Sequence, residues 1–241
     1  ARHGRYRAGE RGVAREPLRR RSTRAGGSVD SQFPTVRCAR RGGDGRIAEG
    51  PRVVTSWQAL EQELAFWHAA GRCADLWWRD DDAADAGPAL DRLLEIHRET
   101  ATPLALAVVP ARATAALADR LAMETAVDLL QHGYAHVNHA PASEKKIELG
   151  PHRPAMFVLG ELGTGRMALE RLFGNRPLKV VVPPWNRISP GLVPTLPEIG
   201  FTGLSTFGAV RRAHPVRGLR QINAHVDLID WKGGRGFIGE A

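Results

Sequence analysis

The sequence predicts a parallel α/β domain. Short apolar runs of strand length alternate with stretches whose apolar residues fall at helical spacing. About six such strand signals lie between Val53 and Ala241. That number suits a doubly wound sheet or a barrel with fewer than eight units. Polar, chemistry-bearing residues follow several of the runs directly. Parallel α/β folds gather their chemistry at that C-terminal strand edge.

The elements follow in order. Thr55-Ser-Trp-Gln58 fits a capping box. Trp57, Leu60, Leu64 and Trp67 then recur at helical spacing, and Gly71 suits the stop. Leu76–Arg79 is the first expected strand. Pro88 suits the first turn of a helix running to about Thr100, with Leu90, Leu93, Leu94 and His97 on one face. Leu104–Val109 reads as a strand and Ala111–Met123 as a helix. Val127–Gln131 is the third strand. A loop with Pro and Gly at both ends spans Ala140 to about Pro154, before a helix near Val158–Phe173. Leu178–Val182 is a strand, Ser189-Pro190 opens a short helix that stops at Gly200, and Gly203–Thr206 and Gln221–Leu228 are the last strands. Gly236–Ala241 resembles the first turn of a further helix, so the chain is expected to lack its last one.

Charge separates the chain into two parts. Residues 1–52 carry 14 Arg, no Lys and five acids, a net +9; the remaining 20 bases and 21 acids nearly cancel. The net +8 of the whole therefore belongs to an Arg-rich tail, and the domain from Val53 to Ala241 offers no basic surface for nucleic acid. The tail has almost no apolar periodicity and is expected to be disordered. An unselected extension, a basic arm and a transit peptide all fit its composition. No apolar core of a secretory signal follows the basic start, and no run reaches the ~18 residues of a membrane span. Cys38 and Cys73 make neither a disulfide framework nor a metal pair, and Cys73 is expected to be at least half-buried. A cytoplasmic location follows as the expectation.

Two clusters carry the chemistry. His132, His136 and His139 fall within eight residues, directly after the apolar run Ala126–Leu130. Neutral imidazoles at i and i+4 reach one point if the turn is helical, and suit Zn²⁺ or a similar divalent ion. His139 reads either as a residue facing substrate or as a solvent-exposed one. Asp80, Asp81 and Asp82 follow the first apolar run, and three adjacent carboxylates repel one another unless a cation relieves them. An acidic patch before a helix N-terminus is the plainer reading of the same residues.

The order of these motifs, with Pro183-Pro184-Trp185-Asn186 after a later strand and Asn223-Ala224-His225 near the end, resembles the polysaccharide deacetylase family. These are metal-dependent deacetylases of chitin, peptidoglycan and chitooligosaccharides. The resemblance covers Leu76 to Trp231. It implies an irregular (β/α) barrel of about seven units that removes N-acetyl or related acyl groups from a sugar or polysaccharide. Asp81 then corresponds to the catalytic base. Asp82, His132 and His136 correspond to the ligands of one divalent ion, Zn²⁺ by preference, and His225 to the general acid. Trp185, Asn186, Tyr134 and His139 become candidate substrate contacts, with Trp231 a further stacking surface.

Three positions depart from the family pattern. Val182 stands where the third motif has the arginine that orients the base, which leaves Arg187 or Asn186 as replacements. Ala83 stands for the first-motif glycine. The fourth motif is unrecognisable near Gly203–Phe207, so Asp227 or Asp230 becomes the partner that orients His225. Loss of the arginine also suits a non-catalytic carbohydrate-binding protein on the same fold. The ligand set alone suits a two-His-one-carboxylate iron oxygenase, although a parallel βα pattern is not that site's usual host.

Overall fold

The structure is a computed structural model that describes residues 57–237. The Arg-rich tail, the capping-box residues Thr55 and Ser56, the expected boundary at Val53 and residues 238–241 lie outside the described residues. Helix α1 (Trp57–Ala69) ends where Gly71 adopts a left-handed φ of 69°. Strand β1 (Trp78–Ala83) leads to α2 (Pro88–Thr100), β2 (Leu104–Val108), a 3-10 turn at Pro110–Arg112, α3 (Ala115–Leu121) and β3 (Val127–His132). Then come α4 (Ala155–Phe173), β4 (Pro177–Val182), two 3-10 segments at Pro184–Asn186 and Pro190–Thr195, and the short strands β5 (Gly203–Leu204) and β6 (Arg220–Gln221).

All six strands are parallel, and their order across the sheet is their order in the chain. A doubly wound sheet reverses its order partway; this one does not. Right-handed crossovers in a sheet of constant direction put the helices on one side. The core is divided accordingly. On one face Leu104, Leu106 and Val108 of β2 and Leu129 of β3 pack with Leu94 of α2, Leu117 and Leu121 of α3 and Leu169 of α4. Val181 of β4 packs with Val158 and Leu162 of α4 and with Leu192 and Leu196.

The opposite pleat forms a cluster without helix residues: Ala105, Ala107, Leu130, Val180 and Val182, joined by Trp77 and Ile222. Trp77 precedes the first strand and Ile222 follows the last. Both packing on one small cluster means that the sheet curls until its two edges approach across an inner face. The alternation of Ala105 and Ala107 with the leucines of β2 suits this, because a curled inner face has less room than the helix-covered outer one.

Several expectations shift. The first strand starts two residues later than Leu76 and runs to Ala83, so the three aspartates lie within it. Leu76 is 62% exposed, whereas Trp78 pairs in register with Leu104 and packs against the outer core. The expected helix from Ala111 breaks into a 3-10 turn and α3, because Thr114 caps a new start by accepting from the Leu117 N–H. Helix α4 begins at Ala155, three residues before the expected start. The segment after Ser189 is 3-10, with Pro194 inside it. The last two strands are two residues each, extended by an isolated bridge between Phe207 and Ala224. Cys73 is exposed, not half-buried. Phe237 bridges Ile229 in extended pairing, and the further helix expected beyond it falls on undescribed residues.

Burial on the outer face predicts an asymmetric response to truncation. Leu106→Ala should cost about 2–5 kcal/mol, as for other buried leucines. Met123→Ala, at a position 88% exposed, should stay within ~0.5 kcal/mol of the parent. Urea unfolding of both variants reads this directly; similar midpoints would contradict the assignment of β2 to the core.

Candidate metal centre

The sheet brings the C-terminal ends of β1, β3, β4 and β5 to one edge. Asp82 Oδ1 lies 3.1 Å from His132 Nε2 and 3.1 Å from His136 Nε2. The three ligand-type atoms all fall within 4.8 Å of one another. Asp82, His132 and His136 are thus brought together as the sequence suggests. The two histidines do not meet on a helix, however. Residues 133–137 form an irregular loop, in which Gly133 and His136 take left-handed φ values of 53° and 58°.

The ring of His132 is fixed from behind. Its Nδ1 lies 3.0 Å from the Val182 carbonyl oxygen. A carbonyl only accepts, so Nδ1 carries the proton and a neutral ring presents its Nε2 lone pair to Asp82. A lone pair facing a carboxylate oxygen at 3.1 Å needs a proton or a cation between them. With a proton there, on the doubly protonated His132 ring, the hydrogen bond it donates holds the Asp82 carboxyl below its ordinary range, aided by the charges of His132, His136 and Arg112 and opposed by partial desolvation. Two imidazoles and one carboxylate, with Asp82 still 61% exposed, make a donor set that fits a divalent ion with open positions.

Backbone strain gathers here. Asp82, His136, Trp185 and Asn186 all have φ between 55° and 73°, and they are four of the six non-glycine residues with positive φ among those described. Asp82 sits at an irregularity of β1, where the pairing register shifts between Asp80 and Ala83. This bulge turns its carboxylate toward β3. Such conformations persist only where the surroundings enforce them, and they cluster at functional sites.

Glu148 is a site residue that the sequence reading missed. It is buried, and its carboxylate accepts from the backbone N–H groups of Tyr134, Ala135 and Val137 at 3.0, 2.8 and 3.4 Å. It thereby holds the loop between the two histidines. A Cβ at Gly133 would meet Glu148 Oε2 at 2.0 Å and Pro184 Cδ at 2.6 Å, so only glycine fits there. The available signal was a lone acid between Ile147 and Leu149 in an apolar stretch, since buried charges need dedicated partners.

Arg79 was also missed. Its guanidinium forks both oxygens of Asp81, from Nε to Oδ1 at 2.8 Å and from Nη2 to Oδ2 at 3.0 Å. Neither replacement expected for the arginine absent at Val182 contacts Asp81 in this way. Arg187 donates to the Lys146 carbonyl, and Asn186 accepts from Arg79 at 2.7 Å. The signal was alternation: Arg79 and Asp81 lie two apart on a strand and so share a face.

The remaining candidates are dispersed. The Trp185 ring packs on His136, with centroids 4.4 Å apart, and Lys146 Nζ lies 6.0 Å from the Trp185 ring centroid. Tyr134 and His139 are half-buried, and their backbone groups tie the loop to Ala111 and Ile147. His225 is exposed, one residue beyond Ala224, and lies outside the metal-type cluster. Asp227 accepts from the Ile229 N–H and the Trp231 indole, and Asp230 from the Lys232 and Gly233 N–H groups, so the hydrogen bonds of both serve the local turn. His97, on the buried face of α2, contacts the Thr102 carbonyl and is a core histidine. No helix among the described residues is long and apolar enough to cross a membrane.

No family profile and no curated protein sequence matches this chain. Several solved structures are similar to it. The BpsB deacetylase domain from Bordetella bronchiseptica is 15% identical with a TM-score of 0.48, over 78% of this chain and 90% of that one. The Streptococcus pyogenes deacetylase PplD, in complex with acetate, is 9% identical with a TM-score of 0.48, over 71% and 78%. A Mycobacterium smegmatis protein assigned as a polysaccharide deacetylase is 21% identical with a TM-score of 0.43, over 57% of this chain. This chain spans only 45% of that protein's length.

Two outcomes test the site. Burial, reinforced by Asp81 and Asp82, pushes the Asp80 carboxyl up from 3.8 to about 6. A raised acid pKa means that the folded state favours the proton. Stability is then fullest below about pH 4 and is lost as pH rises through about 6. In metal-free protein Asp80→Asn should therefore raise Tm at pH 8 by roughly 4–8 °C, for a penalty on the order of 2 kcal/mol. The gain should vanish near pH 4; a pH-independent difference would contradict it. Glu148→Gln should keep the fold but weaken Zn²⁺ binding about 10–100-fold, as loss of outer support for metal ligands does. Calorimetric titration with Zn²⁺ reads the change, and an unaltered Kd would mean that the loop holds itself.

Proposed function

We propose that the protein is a metal-dependent hydrolase that removes N-acetyl or related acyl groups from a sugar or polysaccharide. One observation carries the reading. Two imidazoles, of His132 and His136, converge on the Asp82 carboxylate while the neighbouring residue, Asp81, presents a separately anchored carboxylate at the same strand end. Together with the motif order that resembles polysaccharide deacetylases, this supports ligands and base on adjacent residues.

In this reading Asp82, His132 and His136 hold one divalent ion, preferably Zn²⁺. Bound there, the ion supplies Lewis acidity, which acidifies water and polarises an acyl oxygen. Asp81 accepts the proton of the attacking water. Its two oxygens each accept one bond from Arg79 and keep a further lone pair for that proton. His225 returns a proton to the departing amine nitrogen, its exposure allowing it to meet substrate from the solvent side. Trp185, packed at a tilt against His136, gives a sugar an apolar face beside the site; Asn186, Tyr134 and His139 complete the rim.

Acetate release from N-acetylglucosamine oligomers by zinc-loaded protein is the direct test. Asp82→Asn and His136→Ala should lose stoichiometric metal on dialysis. Asp81→Asn and His225→Ala should keep it and lose about 10²–10⁴-fold in rate. Absence of acetate from every N-acetylated sugar tried would overturn the hydrolase reading in favour of a carbohydrate-binding protein. Turnover that requires oxygen would favour the iron oxygenase.

A further inference from the structure

We propose that Arg79 is the positioning residue of the site: it holds the Asp81 carboxylate in the orientation a base needs, and does so from Asp81's own strand. The inference rests on the proposed hydrolase reading and adds to it a residue that neither acts on substrate nor binds the ion.

The geometry is complete. The Arg79 side chain is 5% exposed. A guanidinium has five N–H donors, and Arg79 makes five hydrogen bonds. Two go to Asp81 at 2.8 and 3.0 Å, one to Asn186 Oδ1 at 2.7 Å, one to Ser205 Oγ at 2.8 Å and one to the Thr206 carbonyl at 3.0 Å. These acceptors come from three strand ends: β1, the turn after β4 and the turn after β5. Each anchor is itself held. The Asn186 N–H donates to the Pro183 carbonyl at 2.8 Å and the Ser205 N–H to the Val181 carbonyl at 3.0 Å. Thr206 is fixed by buried Asn223, whose Oδ1 accepts from both the Thr206 N–H at 2.9 Å and its hydroxyl at 2.9 Å.

The consequence for Asp81 is orientation. A bidentate fork sets the plane of a carboxylate as well as its position, which a single point charge does not. Lysine at residue 79 would keep a charge but not the fork, nor the reach to three strand ends at once. Asp81 and Arg79 thus form an ion pair buried on the arginine side and open on the carboxylate side, where Asp81 is 27% exposed. A base requires that arrangement: fixed from behind and free in front.

The experiment compares Arg79→Gln and Arg79→Lys with the parent, alone and in an Asp81→Asn background. All are zinc-loaded, with metal content and Tm recorded. Both single variants should retain stoichiometric metal, keep KM within about threefold and lose about 10–100-fold in kcat. In the Asp81→Asn background the same changes at Arg79 should cost almost nothing further, because the group they position is already gone. An Arg79→Gln enzyme with unchanged kcat, or an equal further loss on top of Asp81→Asn, would overturn the proposal while leaving the hydrolase reading intact. If Arg79→Gln does not fold, Arg79→Lys decides by the same criteria. If the parent releases no acetate at all, the hydrolase reading has failed, and crystals of Arg79→Lys decide the positioning. A carboxylate of Asp81 that keeps its place without the fork overturns it; one that turns away supports it.

Discussion

The buried guanidinium of Arg79 ties three strand ends together at the inner face of this sheet. Arg79 cannot remain there unless each of its donors is met, and its acceptors lie at the ends of three strands that are distant in sequence. Its bonds span from β1 to the turn after β5, across the same curvature that lets Trp77 and Ile222 share one cluster. Breaking such an arrangement leaves a charge without partners in a poorly solvated place, which is far costlier than losing an exposed ion pair. The curl of the sheet and the orientation of Asp81 therefore meet at one side chain.

The metal-type centre beside it is held by a different device. Asp82 sits on a bulge and His136 in an irregular loop, in conformations that L-residues adopt at a cost of order 1–3 kcal/mol each, while His132 ends β3. Compensation comes from the backbone. The Val182 carbonyl selects the tautomer of His132, and Glu148 gathers three N–H groups of the following loop. Val182 thus contributes through its main chain at the position where the resembled family places a charged side chain. Its buried side chain packs on the inner cluster, while the orienting cation comes from β1.

Much of this was legible in residues alone. The alternation of apolar runs with helical periodicity foretells the parallel α/β sheet, and the pairing of an Asp cluster with His-x-x-x-His foretells that Asp82, His132 and His136 come together. The misplacements have physical reasons. Leu76 looked like a strand residue because it is apolar, but parallel pairing with β2 begins at Trp78. A spacing of four between histidines suggests a helix, yet a loop with two left-handed residues also brings their rings together, 5.2 Å apart. Such backbone conformations leave no mark in composition when the residue is not glycine.

What the sequence by itself determined is local: which residue types follow which apolar run, and so which chemistry is offered at the strand ends. Periodicity and composition are properties of neighbours along the chain, and they suffice for that. What only the tertiary structure decided is which charge serves which. Arg79 and Asn186 are 107 residues apart, Arg79 and Ser205 126. Their meeting is set by the register and curl of the sheet, which no local pattern encodes. The guanidinium beside Asp81 therefore comes from Arg79 and not from near Val182, because contact is set by place in space and not by place in the chain.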